Sequence, residues 1–216
     1  MTSLGRSGYT KPHPHSVPPP CPRRRAPAGP PPAIDYRRRV TDPTPYIVAT
    51  DGACKGNPGP TGWAWVGEDG HWAAGALPHG TNNVGELLGL LRAIEDHADV
   101  PHLLVQADSK YAIDTYEKWM DGHRRRGWKT STGAPTKNRD LLEQLIVARD
   151  ARRAAGLPDV VLEHVRGHRG HVLNEWADER AVRGAEHGAA GKTSAWSSLG
   201  GLHEKLDVSD APKKKR

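Results

Sequence analysis

The chain divides into a middle with clear apolar periodicity, from Tyr46 to about residue 190, and two ends with none. The middle opens with Tyr46-Ile-Val-Ala-Thr-Asp51, a short β-branched run that predicts a buried strand ending on a single carboxylate. Glycines 52, 56, 59 and 62 with Pro58 and Pro60 follow, and they predict turn geometry that other backbone can approach closely. Trp63-Ala-Trp-Val66 predicts a second strand, Gly67-Glu-Asp-Gly70 a turn, and His71 to Ala76 a third strand. Three strands in succession predict an antiparallel meander. Thr81, Asn82 and Asn83 are candidate caps for a helix whose Leu87, Leu90, Leu91 and Ile94 recur at helical spacing. His102 to Asp108 repeats the opening design, a strand running into an aspartate, and a helix from Tyr111 to about Trp119 follows. The strand, helix, strand order predicts a right-handed crossover that lays this strand parallel to the first. Asp140 to Ala155 predicts a helix with Leu141, Leu142, Leu145 and Ile146 on one face, Val160 to Val165 the last strand, and Asn174-Glu175 the opening of a final helix.

Composition adds that 216 residues make one domain with extensions, large enough to bury a real core. No apolar run approaches 18 residues, which predicts no transmembrane helix, and the N-terminus lacks the apolar centre of a signal peptide. Cys21 and Cys54 lie far apart in unlike contexts, so a reducing, cytoplasmic compartment without disulfides is the expectation.

Charge changes the picture more. The net +6 is unevenly spread: residues 1–45 carry +6, residues 191–216 carry +3, and the middle carries −3. Residues 1–45 also hold 12 of the 19 prolines, with Arg23 to Arg25 and Arg37 to Arg39 among them, and predict a disordered arm. That arm is either a salt-sensitive phosphate tether or a passive extension. Residues 191–216 predict a disordered basic tail, its Lys213 to Arg216 either a nuclear signal or a plain charged end. Residues 46–190 are then the folded domain.

Candidate chemistry gathers at the strand ends. Asp51 is either a turn cap or a ligand for a cation, because a carboxylate at the mouth of a buried strand is costly unless something pairs with it. Parallel strands would bring Asp108 to the same end of the sheet, where two carboxylates repel unless a cation holds them. Glu86 falls at the edge of the buried helix face, and its other reading is an acid favoured by the helix dipole. Residues 122–139 hold six basic side chains and no acid, with Trp128 inside the stretch and Trp119 just upstream, a combination suited to a phosphate and sugar surface. The other reading of that stretch is an ordinary solvated helix end followed by a loop. His168 and His171 lack two further ligands for structural zinc, so a glycine-flanked imidazole there suits proton movement or help to a leaving group. Gly191-Lys192-Thr193 is not a phosphate loop, since Glu186 stands where the required glycine would be and no strand precedes it.

Five blocks taken in order, Thr50 to Pro60, Thr81 to Leu87, Ala107 to Ser109, Arg126 to Thr130 and Gly167 to Asp178, resemble ribonuclease HI, the type-I ribonuclease H family. The resemblance spans about Tyr46 to Glu186. It implies an α/β ribonuclease H-like fold, a mixed five-stranded sheet flanked by helices, and an endonuclease that cuts the RNA strand of RNA–DNA hybrids by a two-metal-ion mechanism. The family's acidic ligands fall on Asp51, Glu86, Asp108 and Asp178, with two Mg2+ ions that Mn2+ can replace. His168 matches the family's mobile histidine. Cys54, Asn57, Asn82 and Asn83 match the minor-groove face, with Thr81 and Asn57 near a DNA-strand phosphate. Arg124, Arg125, Arg126, Trp128 and Lys129 match a protrusion that grips the DNA strand. Lys110 stands where bacterial relatives usually carry glutamine and would supply a phosphate contact. Gly85 replaces a larger residue and is expected to loosen the helix start by about 1 kcal/mol, and His123 replaces a stacking tryptophan. The expected partner is the hybrid duplex, with no membrane and no obligatory protein, for a monomeric enzyme of little base preference. The competing classes are another nuclease or strand-transfer enzyme of this fold and a non-catalytic hybrid-binding protein.

Overall fold

The computed structural model describes residues 44–167, 170–201 and 203–212. The Pro/Arg-rich arm up to residue 43, His168 and the basic terminus from Lys213 to Arg216 lie outside the described residues. A six-stranded sheet forms the centre: β1 (Tyr46–Cys54), β2 (Gly59–Gly67), β3 (Trp72–Gly80), β4 (Leu103–Ala107), β5 (Val161–His164) and β6 (Ser194–Ser197). Their order across the sheet is β5-β4-β1-β2-β3-β6. The meander pairs β1, β2 and β3 antiparallel, and β4 and β5 join β1 in parallel. Four α-helices and a π-helical turn lie between β3 and β5: α1 (Asn82–Asp96) precedes β4, and α2 (Lys110–Asp114), the π-helical turn (Thr115–Trp119), α3 (Met120–Arg125) and α4 (Arg139–Ala154) follow it. The last helix is α5 (Val172–Gly188).

Strand alternation sends successive side chains to opposite faces and so makes two cores. On one face Val48, Trp63 and Trp65 pack with Leu87, Leu90 and Leu91 of α1 and with Leu142 and Leu145 of α4. On the other, Ala49, Ala64, Val66 and Trp72 pack with Ala177 and Ala181 of α5. The second layer is built for close approach. A Cβ on Gly62 would collide with the Ala181 carbonyl, and one on Gly184 with the Gly75 carbonyl. Behind the first layer, Arg152 is only 1% exposed and donates to the carbonyls of His97 (3.0 Å) and Val100 (2.9 Å), which pins the connection between α1 and β4.

Four expectations change. The sheet has six strands, because part of the stretch read as a disordered tail pairs as β6 antiparallel to β3, Ala73 to Ala76 against Ser197 to Ser194. Four residues were too few for a periodic signal, and an available edge at β3 supplied the partner. β1 does not stop at Asp51 but continues to Cys54, since Gly52, Ala53 and Cys54 pair with Trp63, Gly62 and Thr61. The helical region after Asp108 continues past Trp119 to Arg125 through the π-helical turn. Gly85 is not a loosening substitution: a Cβ there would lie 2.6 Å from the Gly62 carbonyl oxygen, so the missing side chain lets α1 settle onto the sheet.

Candidate active site

Parallel pairing of β1 with β4 matches Thr50 to Ala107, which makes Asp51 and Asp108 the next residues on adjacent strands at the same end of the sheet. Glu86 comes in from the first turns of α1. That helix starts cleanly because the Thr81 hydroxyl accepts from Val84 N at 3.3 Å, and it lies close to β1 because Gly52 has no side chain to meet the Glu86 amide. The carboxylates of Asp51, Glu86 and Asp108 consequently offer oxygens within 4.8 Å of one another. Asp178, in the second turn of α5, adds its charge to the group, raising the pKa of both Asp51 and Glu86.

Each carboxylate is held from behind. Asp51 Oδ1 accepts from Gly52 N at 2.7 Å, and Glu86 Oε1 from Asn82 Nδ2 at 3.2 Å. The backbone of Gly167 presses on Asp108, where any Cβ would strike its Oδ2. His164 is within hydrogen-bonding distance of the same residue, its Nε2 3.2 Å from Asp108 O. Burial pushes the Asp51 carboxyl well above its ordinary value, and the charges of Asp108 and Asp178 push it further, against the opposing Gly52 amide. Glu86 is pushed up to about 9, first by burial and then by Asp51 and Asp108.

This arrangement fits hard divalent cations. The donors are carboxylate oxygens, the type such ions prefer. Glu86 Oε2 is buried with no hydrogen-bond partner among the described residues, a position that is costly for a polar atom unless a ligand completes it. The raised pKa values have the same physical origin, since burial and the mutual repulsion of the carboxylates both disfavour their charged forms.

The residues expected at a nucleic-acid surface are more diverse. Asn57 and Asn83 are exposed, and Asn57 Oδ1 accepts from Asn82 N at 3.2 Å, tying the β1–β2 turn to the start of α1. Cys54 is turned inward, its thiol shared between the Gly59 and Gly80 carbonyls and the Thr61 hydroxyl. Thr81 and Asn82 are committed to capping α1 and to holding Glu86. Lys110 is exposed at the first position of α2, directly after Asp108 and Ser109. Arg124, Arg125, Arg126 and Lys129 are exposed around a tight loop in which Arg126 Nε donates to Lys129 O at 3.2 Å. Trp128 instead packs against the core, with the Arg139 guanidinium 5.4 Å from its ring centroid, and anchors the loop. Gly52, Gly167 and His164 were not singled out as site residues from sequence. The available signals were a glycine immediately after the strand aspartate and a histidine that ends the strand next to Asp108.

Residues 43–186 match the RNase H family model. The Ribonuclease H of Rhodospirillum rubrum is 41% identical over 153 residues, which cover 69% of this chain and 88% of that protein. The Ribonuclease H of Aromatoleum aromaticum is 43% identical over 144 residues, 64% of this chain and 89% of its own length. Among solved structures, LC9-RNase H1, described as a type 1 RNase H with the type 2 active-site motif, aligns at a TM-score of 0.55 with 26% identity, covering 74% of this chain and 81% of that one.

Proposed function

The chain belongs to the ribonuclease H family, nucleases that hydrolyse phosphodiester bonds, and from that membership we propose that it cleaves the RNA strand of RNA–DNA hybrids with two divalent cations and little base preference. The observation that carries the reading is the convergence of Asp51, Glu86 and Asp108 around a buried, unpartnered Glu86 oxygen. In this reading the three carboxylates and Asp178 hold the cations, magnesium with manganese able to replace it. Bound there, such ions lower the pKa of an attacking water and stabilise the leaving oxygen. The chain's own part is placement. Asn82 orients the Glu86 carboxylate, the Gly52 amide orients that of Asp51, and Gly167 leaves room beside Asp108. His168, between Gly167 and Gly170 in the sequence, moves a proton or helps the leaving group depart.

Substrate choice follows from what a hybrid presents. A wide minor groove offers 2′-hydroxyls on one strand only, within reach of short polar side chains. The exposed Asn57 and Asn83 supply that chemistry near the carboxylates, with the half-buried Cys54, Thr81 and Asn82 beside them as supports, and Lys110 adds a phosphate contact. Arg124, Arg125, Arg126 and Lys129, on the loop that Trp128 anchors, hold the DNA strand. Contacts to sugar and phosphate carry little base information, hence the weak sequence preference. The enzyme acts as a monomer in the cytoplasm, without an obligatory protein partner.

The experiment is cleavage of a duplex with each strand labelled separately, with and without Mg2+. Metal-dependent cutting of the RNA strand of the hybrid alone is expected. Intact hybrid RNA alongside cleavage of duplex DNA or single-stranded RNA would overturn the reading.

A further inference from the structure

The family match ends at residue 186, yet the described chain continues to Pro212 and returns to the helix that carries Asp178. After β6, the Ser198 hydroxyl accepts from Trp72 N at 2.9 Å. The chain then rounds the β2–β3 hairpin, where Leu206 N donates to Gly70 O at 2.8 Å and the Glu204 carbonyl accepts from Trp72 Nε1 at 3.0 Å. Leu206 and Val208 pack against the small-residue layer that includes Ala177 and Ala181, and Asp210 O accepts from Trp176 Nε1 at 2.9 Å.

These contacts bracket one residue. Two positions before Asp178, Trp176 is tied directly to Asp210. Two positions after it, the Arg180 guanidinium lies 4.2 Å from the centroid of Trp72, the ring whose Nε1 is bound by Glu204. The start of α5 is also tied on its exposed side, where Glu175 Oε1 accepts from Gly170 N at 3.1 Å. Its N-cap, His171, makes no side-chain capping bond, and its sheet-facing residues Ala177 and Ala181 are small. Alanines bury little apolar area, so on its sheet side α5 is located by close backbone approach at Gly62 and Gly184 and not by large interlocking side chains.

We propose that Ser194 to Gly201 and His203 to Ala211 form a positioning strap that sets the first two turns of α5, and with them Asp178, against the other three carboxylates. The inference rests on the assignment of Asp178 as a metal ligand under the proposed function. Cation sites tolerate ligand displacements of only a few tenths of an ångström, so a loosened α5 weakens the site before it unfolds the domain. The strap acts through α5 and touches no substrate.

The test compares the full chain with two shortened forms, one ending at Pro212 and one at Gly191. Mn2+ binding is measured by calorimetry without nucleic acid, and kcat and KM are measured on a hybrid, all below the melting temperature of each form. The form ending at Pro212 should bind Mn2+ as the full chain does. The form ending at Gly191 should lose about tenfold in Mn2+ affinity, with a comparable fall in kcat. A folded form ending at Gly191 with full-length Mn2+ affinity and kcat overturns the proposal, because a strap that only adds stability would move the melting temperature and neither constant. If that form does not fold, the double variant Trp176→Phe/Leu206→Ser carries the same comparison, and unchanged Mn2+ affinity in it is equally fatal. A full chain that binds Mn2+ without cutting hybrid would refute the proposed function while leaving the strap measurable.

Discussion

Asp51 accepts a hydrogen bond from the Gly52 amide, but burial and two neighbouring carboxylates outweigh that bond and push its pKa up. One residue therefore serves the site at a cost to the fold. Asp51→Asn is expected to lower hybrid cleavage by on the order of a thousandfold, about 4 kcal/mol of transition-state stabilisation, while hybrid affinity stays within a few-fold. The same substitution should raise the melting temperature of the metal-free protein, since it removes one member of a repelling group. Turnover near that of the unmodified chain would show that Asp51 does not place the cations. Glu86 gives a second reading of the same imbalance. Its folded pKa of about 9 stands above the ordinary 4.5, so the folded state binds the extra proton between those values. Its contribution to stability is then fully present below about pH 4.5 and lost as the pH rises through about 9. In chelator, urea melts should show metal-free stability falling across that window, and Glu86→Gln should flatten the fall. Equal slopes for the two proteins would contradict the assignment.

Among the elements, the helices sit where glycines let them. At Gly85 two effects oppose each other: alanine would favour the helix by about 1 kcal/mol, but its Cβ would lie 2.6 Å from the Gly62 carbonyl oxygen. Backbone on both sides cannot yield cheaply, and overpacking of this kind costs about 1–3 kcal/mol. Gly85→Ala is therefore expected to be destabilising by denaturant melting, and to lower activity by moving Glu86, the very next residue. Arg152 plays a comparable part for the α1–β4 connection. Its guanidinium holds the His97 and Val100 carbonyls in a buried position, and Arg152→Met, which keeps the stem and removes the donors, should cost about 3 kcal/mol in a urea melt. The apolar helices and strands were legible because their periods are 2 and 3.6 residues and their runs are long. β6 was not, since four residues with intermediate burial carry no period, and its pairing depends on the free edge of β3.

For the whole molecule, charge is divided between a slightly acidic folded middle and basic ends. Eight basic residues lie in the N-terminal arm, which falls outside the described residues. If that arm tethers phosphate, a chain lacking residues 1–43 should bind hybrid less tightly at low salt, with a shallower dependence of log affinity on log salt and the same strand cut. An unchanged slope would mark the arm as passive. The C-terminal stretch has a different standing, since β6 and the segment after it are part of the folded body.

The sequence by itself determined the architecture of the middle and the identity of the acidic residues. Apolar periodicity is a local property of the chain, and a carboxylate that ends an apolar run stands out without any structure. The five ordered blocks added the family. What only the tertiary structure decided was distance and commitment. It brought carboxylate oxygens of Asp51, Glu86 and Asp108 within 4.8 Å, turned Cys54 inward, packed Trp128 against the core, and assigned Thr81 and Asn82 to the start of α1. It also paired residues 194–197 with β3 and returned Leu206, Val208 and Asp210 to the helix that carries Asp178. Those outcomes depend on which surfaces meet across the sheet, and partners from distant parts of the chain leave no period in the sequence.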